Sequence, residues 1–447
     1  MDPTPSSLEH SKDPLEAIYA LNIGDFMADA FISDDLLNKI ASRLGDDPQK
    51  LTSQLEELIQ IYSIDKTLGI LGFKSDEGFV IYDSIAATLA KMFQVDACHI
   101  FQSMHKDSGA DSLSLTGSSV ELSSKTRWNL SFPLPENHRL WSVYHDSEAQ
   151  VFTDLKSENG GLWTPLSEIH QDKTTSLIAA PMAEGAKYLG LILFERYSNE
   201  PFSTELIELA NATARVFVTS TRLQQLVAQA QTQIGKETPS LEELRSLRAQ
   251  ITESIADLGS HQQAFVEALG GAIDARNHFT RGHSKQVAHV AQALAFDLRL
   301  NEKTCDLIYY AGLVGTLGKI DIPSEVLAKK ETLAPQEWDS LRNHPNVGVG
   351  LLVQINFLSE VVPYVHYQKE RWDGSGSPEG LSGQSIPLGS RILAVADAYH
   401  AMTQARPYRD NPISHDDAVA ALKKEAGTLW DPTVVNALSE IPTELLL

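Results

Sequence analysis

Leu244, Ile251, Leu258 and Phe265 recur every seven residues, with Leu247 and Ile255 beside them. A seven-residue apolar repeat demands a long helix with one continuous buried stripe. In a chain of 447 residues that helix also acts as a divider. The text on either side is long enough to fold around its own core. Gly235 and Pro239 break the helix before the stripe, and Ser240 with Glu243 three residues on resembles a capping box. Two packings satisfy the stripe, a parallel pair with a second copy or burial against a helix of the same chain. Its position between two globular stretches favours the homodimer.

Ahead of the divider, residues 1–13 read as a disordered lead and residues 14–65 as a helical segment. Ser33-Asp34-Asp35 caps a stretch with Leu36, Leu37, Ile40 and Leu44 on one face; Gly45 stops it. Pro48 opens a second stretch carrying Leu51, Leu55, Leu58 and Ile59. Between 66 and 228 the text is mixed α/β. Ile81 to Phe93 is an amphipathic helix and Ala97 to Gln102 a strand. A loop-rich middle follows, then two apolar strands, Ser176 to Met182 and Tyr188 to Arg196, around the turn at Ala183–Lys187. A helix begins near Ser203 and passes Leu226. This order, and above all SLIAAPMAEGAKYLGLILFER, resembles a GAF domain. The resemblance implies a pocket over the sheet for a small molecule or chromophore, or a dimerisation role.

Behind the divider, 229–265, residues 266–447 read as all-helical. ARNHFTRGHSKQV, GLVGTLGKIDIP, NHPNVG, HYQKERWDGSGSPEGL and RILAVADAYHAMTQARPYR stand there in fixed order. They resemble the HD-GYP family of bacterial cyclic di-GMP phosphodiesterases. The fold class is thus a multidomain α+β chain: helical segment, α/β GAF-like domain, helical connector and all-α HD-GYP-like bundle.

The resemblance implies phosphodiester hydrolysis by two or three metal ions, held by histidines and aspartates, that polarise phosphate and activate a water. Matched position by position, His283, His344 and Asp397 keep a metal-ligand identity. Gly315 and Thr316 stand at the His-Asp pair, Gln368 and Lys369 at the paired histidines, and Ser377 at the tyrosine of the GYP loop. Glycine offers no ligand, threonine cannot bridge two cations, and lysine places a fixed positive charge where a metal is needed. An inward-pointing Lys369 would pair with Asp397 instead. No catalytic residue is therefore expected, and no cofactor; a single iron or manganese at the remnant positions is the alternative. His278, His289, His366 and His400 flank the motifs. His289 reads as a surface or core residue, His366 as pointing away, and His400 as a hydrogen-bonding partner of the neighbouring loop. Lys319, Lys369, Arg371 and Arg409 form a basic cluster suited to phosphate, although Arg371 with Asp373 would equally lock the loop to the bundle.

Lysine and arginine number 36 against 59 acidic residues, a net charge of −23. So acidic a surface repels nucleic acid and anionic lipid, so neither DNA nor RNA is an expected partner. The two cysteines, Cys98 and Cys305, form no metal or disulfide spacing and read as reduced core thiols. The polar N-terminus and the absence of a long apolar run predict a cytoplasmic protein without membrane insertion. The chain thus reads as a bacterial signalling protein, dimeric through its GAF-like domain and connector, whose last domain binds a cyclic dinucleotide or a protein partner without cleaving it. An active phosphodiesterase with a remodelled site, and a pure dimeric scaffold, are the alternatives.

Overall fold

A buried stretch at Ala97–Phe101, and apolar runs within Ser176–Glu184 and Lys187–Arg196, set the centre of an antiparallel sheet. The computed structural model describes residues 51–56, 58–59, 78–104, 112–122, 131–133, 139–153, 155, 173–185, 187–236, 240–276, 281–327, 329, 332–404 and 412–446. Residues 1–50, including the expected cap at Ser33 and stop at Gly45, lie outside that set, as do His278 and Arg409. From Gly78 onward the described chain divides into two compact units that meet in sequence at Gly282 and His283.

The first unit contains α1 (Gly78–Phe93), β1 (Ala97–Met104), β2 (Ser112–Ser118), β3 (Ser131–Pro133), α2 (Arg139–Asp146), β4 (Gln150–Thr153), β5 (Ser176–Glu184), β6 (Lys187–Arg196), α3 (Thr204–Ile234) and α4 (Leu241–Asp274). Its six strands lie in the order β3-β2-β1-β6-β5-β4, and every pair is antiparallel. In register, Cys98 faces Phe194 and Ile100 faces Ile192. The loop-rich middle expected from sequence in fact carries β2, β3, α2 and β4. These elements are short, and β2 is serine-rich and anchored by only two buried leucines, Leu113 and Leu115. One face of the sheet packs those leucines with Phe101, Leu140, Val143, Phe152, Leu177, Leu191 and Leu193. On the opposite face Phe93 of α1 stacks on Phe194, ring centroids 3.8 Å apart. Cys98 is fully buried in this sheet, and Cys305 is buried in the second unit; both are free thiols.

Ser203 caps α3 by accepting the Leu206 N–H at 3.3 Å, and the helix stops at Gly235. Ser240 accepts the Glu243 N–H at 3.4 Å, so the cap at the start of α4 forms where the sequence places it. The helix then runs to Asp274, past the expected limit at residue 265. Its heptad residues, Leu244, Leu247, Ile251, Ile255, Leu258 and Phe265, are buried in the single chain, where α4 packs along α3. Thr219 Oγ1 and His261 Nδ1 join the two helices at 2.8 Å. Of the two packings open to the stripe, burial within one chain is the one adopted here.

The second unit is helical: α5 (His283–Asp297), α6 (Glu302–Val314), a 3-10 turn at Leu317–Asp321, α7 (Pro335–Leu352), α8 (Val362–His366), α9 (Leu388–Thr403), α10 (His415–Lys424) and α11 (Pro432–Glu440). Helix α5 packs on α6 and α9, and the 3-10 turn packs on α7. That turn approaches so closely that a Cβ on Gly318 would lie 1.6 Å from the His344 carbonyl oxygen. Only glycine fits there. No described helix in either unit is long and apolar enough to cross a membrane.

Candidate functional site

His344 owes its state to the proline that follows it. Pro345 lies inside α7 and has no N–H to give the carbonyl of Leu341, four residues back. The His344 ring fills that gap, with Nδ1 2.6 Å from the Leu341 oxygen. A carbonyl only accepts, so Nδ1 carries the hydrogen and Nε2 keeps its lone pair. Burial, with the Lys319 ammonium next and Lys369 adding to it, pulls the pKa of His344 down to about 4, against the opposing Leu341 bond and Asp397. The ring is neutral at physiological pH.

His283 opens α5 and is buried. Its Nε2 lies 3.3 Å from Asp397 Oδ1, and its Nδ1 lies 2.8 Å from Nδ1 of His400. Two ring nitrogens that close share one hydrogen, so one donates and the other accepts. Asp397 and His400 stand one turn apart on α9, which lets both reach His283 from the same face. His400 therefore bonds His283, a contact across 117 residues; the neighbouring loop at 405–411 lies outside the described residues. The signal was slight, a histidine three residues beyond Asp397 on one helix.

Lys369 points inward. Its Nζ lies 2.9 Å from Asp397 Oδ2. Burial works to raise the Asp397 carboxyl. The Lys369 ammonium, the His283 bond and Lys319 together outweigh it and hold the group well below the usual carboxylate range. Both carboxylate oxygens are thereby engaged. The positions read from sequence as replaced also interlock. Gln368 is buried and donates from Nε2 to the Gly315 carbonyl at 2.8 Å, and Thr316 Oγ1 lies 3.2 Å from Ser284 Oγ.

The loop after Lys369 is held by its backbone. Buried Glu370 accepts the N–H groups of Glu379 and Gly380 on one oxygen, at 2.7 and 3.0 Å. Trp372 and Asp373 donate their N–H groups to the carbonyls of Leu429 and Thr428 at 3.2 and 2.8 Å. Gly374 and Gly380 take left-handed angles, φ 83° and 70°, as the loop's glycine content predicts. Ser377 is exposed within it and donates its N–H to the Lys369 carbonyl at 3.2 Å. Asp373 accepts the Ser375 N–H at 2.9 Å, and Arg371 is exposed. His366 is buried beside Tyr367, and His289 lies against Tyr309; neither joins the cluster.

The structure thus brings His283, His344, Asp397, Lys319 and Lys369 into one electrostatic neighbourhood and adds His400. This donor set does not fit a di- or trinuclear metal centre. A divalent ion at Asp397 would have to displace the Lys369 ammonium, and the positions expected from sequence to carry further ligands present a bare glycine, a threonine engaged with serine and an amide engaged with backbone. Among the described residues, no group of three or more His, Cys, Asp or Glu is arranged to hold a metal ion. What the cluster offers instead is the Lys369 ammonium, with Lys319 in the same neighbourhood. An ammonium has three hydrogens to donate, and Asp397 takes one from Lys369, whose side chain is 40% exposed.

Residues 267–434 match the family described as HD domain, and residues 80–219 the family described as GAF domain. Over 195 residues the chain is 35% identical to the cyclic di-GMP phosphodiesterase response regulator RpfG of Xanthomonas campestris, covering 43% of this chain and 51% of that protein. It is 40% identical over 189 residues to the 3'3'-cGAMP-specific phosphodiesterase 1 of Vibrio cholerae, covering 39% of this chain and 44% of that one. A cyclic di-GMP phosphodiesterase of Thermotoga maritima matches at 32% over 184 residues, covering 40% and 49%. The chain spans about half the length of the curated relatives it matches.

Proposed function

We propose that a chain pairing a GAF domain with an HD domain of this kind is a cytoplasmic signalling protein of bacterial cyclic-dinucleotide pathways, and that its last domain is a degenerate HD-GYP domain that regulates without hydrolysing. One observation carries the reading. The Lys369 ammonium holds Asp397 from 2.9 Å, at the place where a metal-dependent relative needs a cation that can be exchanged and can activate water. A tethered lysine supplies the charge and none of that chemistry. The same lysine keeps donors for an anion, and Lys319 and Arg371 add positive charge, which supports recognition of a phosphate diester by binding alone. The likeness to enzymes for cyclic di-GMP and 3'3'-cGAMP makes a cyclic dinucleotide the ligand to try first. Dimerisation belongs to the same proposal, but on surfaces other than the heptad stripe, which the single chain already buries.

The test is full-length untagged protein purified without chelators in the presence of iron and manganese. Less than about a tenth of an equivalent of metal is expected, with no turnover of either cyclic dinucleotide and measurable heat on binding one of them. Metal-dependent hydrolysis abolished by His344→Ala overturns the reading. No heat with either dinucleotide, with metal absent, leaves the domain to a protein partner.

A further inference from the structure

Residues 51–56 are helical and belong to the first unit. Leu51 and Leu55 stand one turn apart on that helix, 1% and 0% exposed, and Gln54 shares their face. The Gln54 side chain is buried too, and its Oε1 accepts a hydrogen from the Arg248 guanidinium of α4 at 2.9 Å, across 194 residues. The segment therefore lies on α4, and Arg248 marks the side. At about 100° per residue, His261, which bonds Thr219 of α3, stands about 140° round α4 from Arg248. Leu244 and Ile255 lie within about 40° of Arg248 and are as deeply buried as the residues that face α3. Helix α3 covers one flank of the heptad stripe, and residues 51–56 lie against the other.

We propose that residues 51–56 are a clasp that keeps α4 from pairing with a second copy of the chain. A helix this short does not hold by itself, so its seat on α4 is what orders it, and it is free to leave that seat. Its departure uncovers Leu244 and Ile255 beside Ile251, on the flank where a seven-residue period lets two copies of one helix meet in register. Charge selects the same partner. With Leu244 and Ile251 at core position a of a parallel pair, Arg248 falls at e and Glu243 at g, so Arg248 of each copy meets the exposed Glu243 of the other. Arg248 then exchanges a neutral amide for a carboxylate. The clasp and the second copy compete for one guanidinium and one apolar flank, which makes this interface conditional on the N-terminal segment. It goes beyond the dinucleotide reading of the second unit and does not depend on it.

The experiment places a nitroxide at Ala249→Cys, on the exposed side of α4, in the full-length protein and reads pairing by double electron–electron resonance. Hydrogen exchange at 51–56 reports the clasp. Leu51→Asp with Leu55→Asp is expected to speed that exchange and to raise the paired fraction at least about fivefold. Adding Glu243→Arg is expected to return the paired fraction to the wild-type level. Gln54→Ala keeps the leucines, is expected to raise both readouts by less, and serves if the aspartate variant does not fold. Unchanged exchange at 51–56 in the folded variants, release without pairing, or pairing that Glu243→Arg leaves intact overturns the proposal. None of these outcomes bears on hydrolysis or metal content in the second unit.

Discussion

Replacing Lys369 by methionine keeps most of the aliphatic stem and removes the charge that holds Asp397. The two groups lie 2.9 Å apart, with side chains 40% and 31% exposed. At full burial, breaking such a pair costs about 3–5 kcal/mol, and fully exposed pairs contribute about 0.2–1 kcal/mol. Exposure of about a third places this pair between the two, so the variant should lose about 1–2 kcal/mol. For a unit of this size that lowers the melting temperature by roughly 3–6 °C. Urea unfolding followed by circular dichroism measures it for wild type, Lys369→Met, Asp397→Asn and the double variant. The double variant should recover most of the single losses, giving a coupling energy of about 1–2 kcal/mol. A coupling below about 0.3 kcal/mol would show that the ammonium does not hold the carboxylate, and the argument from Lys369 against a metal would fall with it.

The remaining predictions concern the frame around that pair. His344 is held neutral with its pKa at about 4 in the folded protein, below the unfolded value near 6.5, so the unfolded state binds the extra proton. Its contribution is complete above about pH 6.5 and is lost as pH falls toward 4, by up to roughly 3 kcal/mol; His344→Leu should flatten that stretch of the stability–pH curve in urea titrations. Gly318→Ala drives a Cβ into the His344 carbonyl and should cost more than about 3 kcal/mol or abolish folding of the helical unit, read by its melting transition. Glu370→Ala removes an acceptor shared by two backbone N–H groups and should cost about 2–3 kcal/mol, with faster hydrogen exchange at Glu379 and Gly380 than in wild type.

What was legible in the sequence follows from where the physical signal is local. Strands β5 and β6 announce themselves because both faces are buried and their residues are apolar without interruption. The caps at Ser203 and Ser240 lie within three residues of the N–H groups they serve. Strand β2 does not announce itself, because a serine-rich segment becomes a strand only when β1 and β3 supply its hydrogen bonds. The heptad stripe fixes a buried helix face and says nothing of what buries it; here α3 does. In the site, sequence left the direction of Lys369 open and named Asp397 as its partner if it pointed inward, since a carboxylate at a position the motif brings near attracts the ammonium. The His283–His400 bond was not legible, because it depends on the relative rotation of α5 and α9, which no local pattern encodes.

Gly315 and Gln368 are bound closely to each other. A side chain at 315 would meet the Gln368 amide oxygen at 3.0 Å, and that amide donates to the Gly315 carbonyl. A side chain at 315 therefore makes the Gln368 amide shift, and an amide that swings away uncovers a buried carbonyl until 315 or a water covers it. The two positions are therefore coupled: changing either alone displaces the amide or uncovers the carbonyl, and only a change at both together avoids that cost.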